Sequence, residues 1–223
     1  MKERPILFSA EMVRAIVEGR KTQTRRVVKF PNKHPFNREW KTPFYVPRNG
    51  VWIFTGGFGG SFRRCRVKSP FGQPGDQLWV RETFLGGFKL DTKHLEFAGY
   101  LDINGRRNGD YKLKPPLEDT DRIRNFPRSW KKVPSIHMPR WAARILVEIT
   151  DVRVERVEEI SHQDAWSEGI DLPVYAPVLD DKHPSPRDKF RELWDSINGG
   201  KTGASWGDNP FVWVVTFRRV DEE

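Results

Sequence analysis

The segment Gly19-Arg20-Lys21-Thr22-Gln23-Thr24-Arg25-Arg26 places four basic side chains and two threonines within eight residues. Its first residue, Gly19, follows a helical pattern and permits a sharp change in chain direction. In an extended conformation, alternate side chains share a face. Thr22, Thr24 and Arg26 then point one way, and Lys21, Gln23 and Arg25 point the other. The spacing predicts polar groups around a turn, with a solvated basic loop as the alternative.

The residues before this segment predict a strand followed by a helix. Pro5-Ile6-Leu7-Phe8 is a short apolar run, and Ser9 is a favourable N-cap. Apolar side chains then recur at helical spacing up to the stop signal at Gly19. These apolar residues are Met12, Val13, Ile16 and Val17.

Further strands are predicted downstream. Pro74-Gly75-Asp76 is a turn signal, and residues 77–84 then alternate as a half-buried strand does. A second alternating run begins at Ile145 and changes parity at Asp151, which predicts a bulge or bend. A final strand covers residues 211–218, and its apolar residues fall on both faces, as in a strand buried on both sides.

Two helices are predicted between the later strands. Ser161 begins a short helix that ends at Gly169. Ser185-Pro186 begins a longer one that ends at Gly199 and presents apolar side chains for packing at i, i+3, i+4 and i+7. These side chains are Phe190, Leu193, Trp194 and Ile197. Short strands with a few helices between them predict an α+β fold built on a mixed β-barrel.

Two long insertions interrupt this pattern, at roughly residues 30–75 and 101–135. Both are rich in arginine, and the first combines glycines and prolines with many aromatic residues, consistent with one hairpin. Such side chains suit stacking on unpaired bases and contact with phosphates. The alternative for Trp40, Trp52 and Phe54 is a satellite core beneath the loops.

Length and composition favour one folded domain over residues 1–223, which is short enough for a single core. Cys65 is the sole cysteine, so an internal disulfide and a zinc site of the usual spacing are both disfavoured. The sequence has neither a run of about eighteen apolar residues nor a signal-peptide core. We therefore expect a cytoplasmic protein with no membrane segment, metal or cofactor.

Charge is unevenly distributed along the chain. Residues 1–142 contain 29 Lys and Arg against 13 Asp and Glu, a balance of +16, whereas residues 143–223 contain 10 against 17, a balance of −7. The two sums give the net charge of +9. This excess favours a polyanionic partner. A basic surface with no polyanionic partner is the alternative.

Three segments together resemble the activating-signal-cointegrator homology (ASCH) domains, a branch of the PUA-like β-barrels. Residues 19–26 are similar to the family's GRKT-x-T-x-R motif, Ala165-Trp166-Ser167-Glu168-Gly169 to its Ala-x-x-Glu-Gly element, and Val212–Arg218 to its final strand. Over most of its length the chain resembles ASCH-type proteins of bacteriophages and prophages. That resemblance includes residues 74–76, 79–82, 135–141 and 193–198.

The resemblance implies site residues and an activity. In small bacterial ASCH enzymes that hydrolyse 4-acetylcytidine, a lysine and a threonine of this motif act with a glutamate. The matching residues here are Lys21, Thr24 and Glu168. An unprotonated lysine activates a hydroxyl, and a carboxylate returns the proton to the leaving amine. Other ASCH members are ribonucleases or bind nucleic acid without chemistry, so the motif indicates a site before it indicates a reaction.

Further binding residues are predicted around this site. Arg20, Arg25 and Arg26 are candidate nucleic-acid contacts, and Arg81 and Glu82 are expected to neutralise one another, with Glu82 a second candidate carboxylate. His137 is a candidate general base or phosphate ligand, or else a structural residue. Arg140 and Trp141 are a candidate base-stacking pair, with packing as the alternative.

The sequence therefore predicts binding of a nucleic acid, RNA more than DNA, or of a nucleoside. A hydrolase is the first alternative, acting either as an amidohydrolase on N-acylated cytosine nucleosides or as a ribonuclease. A phage accessory protein that works through protein contacts is the second.

Overall fold

The computed structural model describes residues 1–30, 40–41, 43–58, 61–88, 95–100, 131–171 and 184–220. Within these ranges the chain combines β-sheets with three α-helices, so the predicted α+β class is confirmed. Most of the predicted insertion at 101–135 lies outside the described residues, as does the part of the first insertion at 31–39.

The described residues form eleven strands and three α-helices. The strands are β1 (Glu3–Leu7), β2 (Gln23–Val27), β3 (Phe44–Val46), β4 (Val51–Phe58), β5 (Ser61–Val67), β6 (Gln77–Arg81), β7 (Phe84–Phe88), β8 (Leu95–Tyr100), β9 (Lys131–Val133), β10 (Leu146–Arg156) and β11 (Phe211–Val220). The helices are α1 (Ala10–Val17), α2 (His162–Ser167) and α3 (Pro186–Asn198).

The strands form three sheets. The largest has the order β1-β6-β10-β11-β2, and the two three-stranded sheets have the orders β3-β4-β5 and β8-β7-β9. In the described part of the chain, the five-stranded sheet is open, with β1 and β2 as its edge strands.

The chain divides into two compact units. The first contains Met1–Arg4, Ala15–Leu78 and Val147–Glu223, and the second contains Pro5–Arg14 and Trp79–Leu146. All the contacts of Lys21 and Glu168 described below lie within the first unit.

Strand β11 organises the first unit. It is buried along most of its length and pairs antiparallel with β2, with Thr24 opposite Val215 and Arg25 opposite Val214. The prediction of a closing strand that is apolar on both faces is confirmed. One core cluster of the unit packs β11 against α2 and α3 and includes Val157, Ile160, Ala165, Ile170, Phe190, Trp194, Trp206, Val212 and Val214.

The predicted helix signals agree with the structure. The Ser161 and Ser185 side chains accept hydrogen bonds from the backbone N–H groups of Asp164 and Asp188, which satisfies orphan donors at the starts of α2 and α3. Phe190 and Trp194 are buried on α3 as predicted, whereas Ile197 is 47% exposed. Among the described helices, none is both long and apolar enough to cross a membrane.

Two strands of the structure differ in detail from the strands that the sequence predicts. The strand predicted over residues 77–84 ends at Arg81, and Phe84 already begins β7. In β10 the buried positions change from odd, at Val147 and Ile149, to even, at Val154, as the parity shift at Asp151 predicts. That shift lies within one continuous strand.

The predicted hairpin of the first insertion is β4–β5, paired from Trp52–Val67 to Phe58–Ser61. Its inner face packs on β11: the ring centroids of Phe54 and Phe211 are 5.2 Å apart, and those of Trp52 and Trp213 are 6.0 Å apart. Phe54 and Trp40 are buried. These side chains therefore pack, as the alternative predicts, but Trp52 and Phe54 do so against β11 and not in a separate core beneath loops.

The second unit contains its own small sheet and core. Strand β7 pairs antiparallel with both β8 and β9. Phe84, Met138 and Ala142 form a buried cluster, against which Val133 packs.

Gly169 provides a test of the packing between α1 and the end of α2. Its φ is +85°, and an added Cβ would lie 2.9 Å from the Ala15 Cβ and 3.0 Å from the Lys21 Cβ. Gly203 has a similar φ of +73° with open space around it. We therefore expect Gly169→Ala to destabilise the fold more than Gly203→Ala, which incurs only the backbone strain of about 1 kcal/mol. Urea denaturation of both variants measures the difference, and equal losses would contradict the packing.

Candidate functional site

Backbone pairing brings Lys21 beside the end of α2. Lys21 and Glu168 form an isolated antiparallel bridge, and the Thr22 N–H donates to the Ser167 carbonyl at 2.9 Å. The Lys21 N–H also donates to the Ala15 carbonyl at 3.0 Å. Residues from α1, β2 and α2 that are far apart in sequence therefore meet at one point.

The Lys21 and Glu168 side chains form a buried ion pair at this point. The Lys21 Nζ lies 2.8 Å from the Glu168 Oε2 and also donates to the Glu168 backbone carbonyl at 2.7 Å. The side chains are 0% and 4% exposed. Both charges are thus removed from water, which is costly unless each is paired and hydrogen-bonded.

Arg25 extends the pair into a network. Its Nη1 donates to the Glu168 Oε1 at 3.3 Å and to the Gln23 Oε1 at 2.6 Å. Its Nη2 donates to Glu155 at 3.0 Å and to Asp164 at 3.1 Å. One buried guanidinium therefore contacts three carboxylates.

Asp164 and Arg153 complete the network. Arg153 donates to Glu155 at 2.5 Å and lies 3.3 Å from the Asp164 Oδ2, and the Gln23 Nε2 donates to the Asp164 Oδ1 at 3.2 Å. Arg153 also lies 3.7 Å from the Asp151 Oδ2, so three basic side chains contact four carboxylates. The seven residues are Lys21, Arg25, Arg153, Asp151, Glu155, Asp164 and Glu168.

Burial and neighbouring charges change how two members of the network titrate. Desolvation lowers the pKa of Lys21 below its ordinary value despite the opposing effect of Glu168, and the charges of Arg26 and Arg25 lower it further. Burial raises the pKa of Asp164, but the guanidinium groups of Arg25 and Arg153 outweigh this and leave it below the ordinary value. Lys21 is therefore closer to the neutral amine that proton abstraction requires than an exposed lysine is.

Thr24 is buried in β2, but on a different face from Gln23 and Arg25, because successive strand residues alternate. The structure thus joins Lys21 directly to Glu168, and it brings Gln23 and Arg25, not Thr24, into the network. The sequence prediction that Lys21, Gln23 and Arg25 share a face agrees with these contacts.

Arg20 and Arg26, the other basic residues of segment 19–26, differ in their burial. Arg20 lies at the surface, where its guanidinium contacts Glu18 at 2.6 Å and donates to the Gly169 carbonyl at 3.3 Å. Arg26 is partly buried, and desolvation lowers its pKa, with the Glu168 charge acting in the opposite direction.

The expected pairing of Arg81 with Glu82 is wrong. Glu82 is buried and accepts two hydrogen bonds from Arg144, at 2.8 and 2.9 Å. The Arg81 guanidinium lies over the Trp79 ring, 4.7 Å from its centroid. Consecutive residues at a strand end point to opposite faces, which separates the two charges.

The candidates of residues 135–141 lie in two 3-10 helices, Ser135–His137 and Arg140–Ala142. His137 and Arg140 are exposed, and Trp141 is 57% exposed. Their predicted binding roles stay predictions.

Sequence reasoning missed Gln23, Arg153, Glu155 and Asp164 as members of the site. Asp164 lies in the first turn of α2, and its carboxylate contacts Arg25 and Arg153. Arg153 and Glu155 are two residues apart on β10 and so share a face, which is a weak signal. Nothing in the local sequence pairs that face with β2.

A double-mutant cycle tests the buried pair. We expect Glu168→Gln to cost about 3–5 kcal/mol of unfolding free energy, because it leaves a buried ammonium without a carboxylate. Lys21→Met combined with Glu168→Gln removes both charges, so the double variant should lose less than the sum of the two single losses. Urea denaturation measures all four proteins, and additive losses would show that the pair contributes no coupling.

Comparisons with known proteins do not assign this chain to a family. It matches no protein-family model, no curated protein and no solved structure. The inferences about its function therefore rest on its own residues and on the motif resemblance.

Proposed function

We propose that this chain binds a nucleic acid, RNA more than DNA, or a nucleoside, and that it does so as an ASCH-type member of the PUA-like barrels. The observation that carries the proposal is the charge distribution, +16 over residues 1–142 and −7 over residues 143–223. Where the chain is described, Glu155, Asp164 and Glu168 from the acidic part neutralise buried cations. Other basic residues, among them Lys29, Arg66 and Lys68, are exposed.

The paired charges of the network indicate which part of a ligand would contact it and which part would contact the exposed basic residues. A site whose cations are already paired with at least as many carboxylates has no net attraction for phosphate. Its paired donors and acceptors suit the edge of a base, which carries both kinds of group. In this proposal the base lies near Lys21 and Glu168, and exposed basic side chains hold the backbone.

The salt dependence of oligonucleotide binding tests this proposal. We expect the affinity for a single-stranded RNA to fall linearly on a log–log plot between 50 and 200 mM salt, because bound cations displace counterions from the phosphates. Fluorescence anisotropy measures the affinity at each concentration. An oligonucleotide of the same sequence with an uncharged backbone is the control, and a flat response to salt contradicts the charge argument.

A hydrolase is the second candidate, favoured by the buried Lys21–Glu168 pair and the lowered pKa of Lys21. Hydrolysis of 4-acetylcytidine breaks the acyl C–N bond, with water supplying the hydroxyl of acetate and the proton of the released amine. In this scheme the Thr24 hydroxyl, assigned by motif resemblance, attacks the acyl carbon; Lys21 accepts its proton, and Glu168 returns a proton to the leaving amine. Water then hydrolyses the acetyl ester of Thr24, which releases acetate and restores the hydroxyl.

Two neighbouring threonines provide a matched test of this chemistry. Thr22 is exposed, whereas Thr24 is buried in β2. We expect Thr24→Ala, Lys21→Ala and Glu168→Gln to reduce the turnover of 4-acetylcytidine at least 100-fold, and Thr22→Ala to leave it unchanged. Turnover is measured by chromatography on protein shown to be folded by circular dichroism. Equal turnover by folded Thr24→Ala and Thr22→Ala would remove Thr24 from the mechanism.

A further inference from the structure

The sheet β3-β4-β5 belongs to a stretch of unusual charge. Residues 40–75 contain six basic side chains and neither Asp nor Glu. The six are Lys41, Arg48, Arg63, Arg64, Arg66 and Lys68. Within its own sequence this segment therefore carries a formal charge of +6 with no carboxylate to offset it.

The two faces of this sheet differ. On the inner face, Phe54 is 0% exposed, Cys65 is opposite it on β5, and both are buried. Arg64 and Arg66 flank Cys65 and point to the other face by strand alternation, where both are exposed. Lys68, two residues beyond Arg66, is exposed as well.

The exposed cations form a line along β5. Side chains two residues apart on a strand are separated by about 6.5–7 Å. Arg64 and Arg66 on β5, an edge strand of the described sheet, and Lys68 directly after it therefore present three positive groups in sequence. Such a line follows an extended chain of phosphates, and arginine provides bidentate contacts to each of them.

An exposed aromatic ring lies on the same face. Phe44 is opposite Ile53 on β4, and Ile53 is opposite Arg66 on β5, so the three residues form one row across the sheet. Phe44 is 52% exposed. Lys41 is exposed, and its N–H donates to the Thr55 carbonyl at 2.8 Å, which places a further cation next to β4. A base can stack on an exposed ring that lies in the same row as a cation.

We propose that this face, defined by Lys41, Phe44, Arg64, Arg66 and Lys68, binds single-stranded nucleic acid. The phosphates lie along β5, and one unpaired base stacks on Phe44. A paired duplex cannot present a base face to the ring, whereas a single strand does so without disruption. The proposal rests on the nucleic-acid branch of the proposed function and names its partner and its surface.

Matched charge-removal variants test the line of cations. One triple variant is Arg64→Ala, Arg66→Ala and Lys68→Ala. Its control removes three exposed or half-exposed cations from α3 and the loop after it, through Lys189→Ala, Arg191→Ala and Lys201→Ala. Both change the net charge equally. We expect the β5 triple to bind a single-stranded oligonucleotide at least tenfold more weakly than the control, with a log–log salt slope smaller by about 2, since each phosphate contact contributes about 0.7.

Variants of Phe44 test the stacking. Phe44→Leu keeps an apolar side chain without a ring and should weaken binding about 5- to 150-fold, whereas Phe44→Tyr should bind as the wild type does. Each variant is measured by anisotropy with single-stranded RNA, single-stranded DNA and a duplex, and polyglutamate is added as a competitor. Tighter binding of either single strand than of the duplex supports the proposal.

Several results would overturn it. Equal binding by the two triple variants removes β5 from the interface, and equal binding by Phe44→Leu and the wild type removes the stacked base. Preference for the duplex, or displacement by polyglutamate at the same concentration as by a single strand, shows a general anion surface. If the wild type binds no oligonucleotide, this proposal fails, while turnover of 4-acetylcytidine by Thr22→Ala but not Thr24→Ala still supports the site at Lys21 and Glu168.

Discussion

The buried ion pair between Lys21 and Glu168 reinforces the backbone bridge that holds the end of α2 beside the residues before β2. The Lys21 Nζ donates to both the carboxylate and the backbone carbonyl of Glu168, so this side chain helps to hold the end of α2 against the residues before β2. Removing two charges from water is unfavourable, and the loss is offset only when the geometry is well satisfied. The second carboxylate oxygen of Glu168 is therefore occupied as well, by Arg25.

The buried Arg25 guanidinium must also be paired with negative charge. A buried guanidinium beside a carboxylate already shared with Lys21 needs additional negative charge, and Glu155 and Asp164 supply it. Those two carboxylates in turn contact Arg153, which is one-third exposed. At Arg153 the network reaches the surface, where water also solvates its members. Charge balance explains why acidic residues from the carboxyl-terminal part of the chain lie against the basic segment at 19–26.

The sequence predicted local structure well where a short-range signal exists. The Ser161 and Ser185 caps, the stop at Gly19, and the parity change within β10 all depend on residues close in sequence. The pairing of Glu82 was predicted wrongly, since its partner Arg144 is 62 residues away and adjacent Arg81 points elsewhere. The network around Arg25 was missed for the same reason, because the carboxylates that it contacts are more than 100 residues away in sequence. The alternation of side chains along a strand predicts which residues share a face, but it does not predict which residues that face contacts.

The basic residues of the first unit thus have two different physical roles. Lys21 and Arg25 are buried and compensated, so they stabilise the junction of β2 and α2 and can contact only a ligand that replaces existing hydrogen bonds. Arg66 and Lys68 lie in a stretch without carboxylates and are exposed to solvent. A polyanion gains counterion release at the second group and nothing comparable at the first. Basic residues that look alike in the sequence therefore differ in their surroundings: Lys21 and Arg25 are paired with carboxylates inside the fold, whereas Arg66 and Lys68 are exposed.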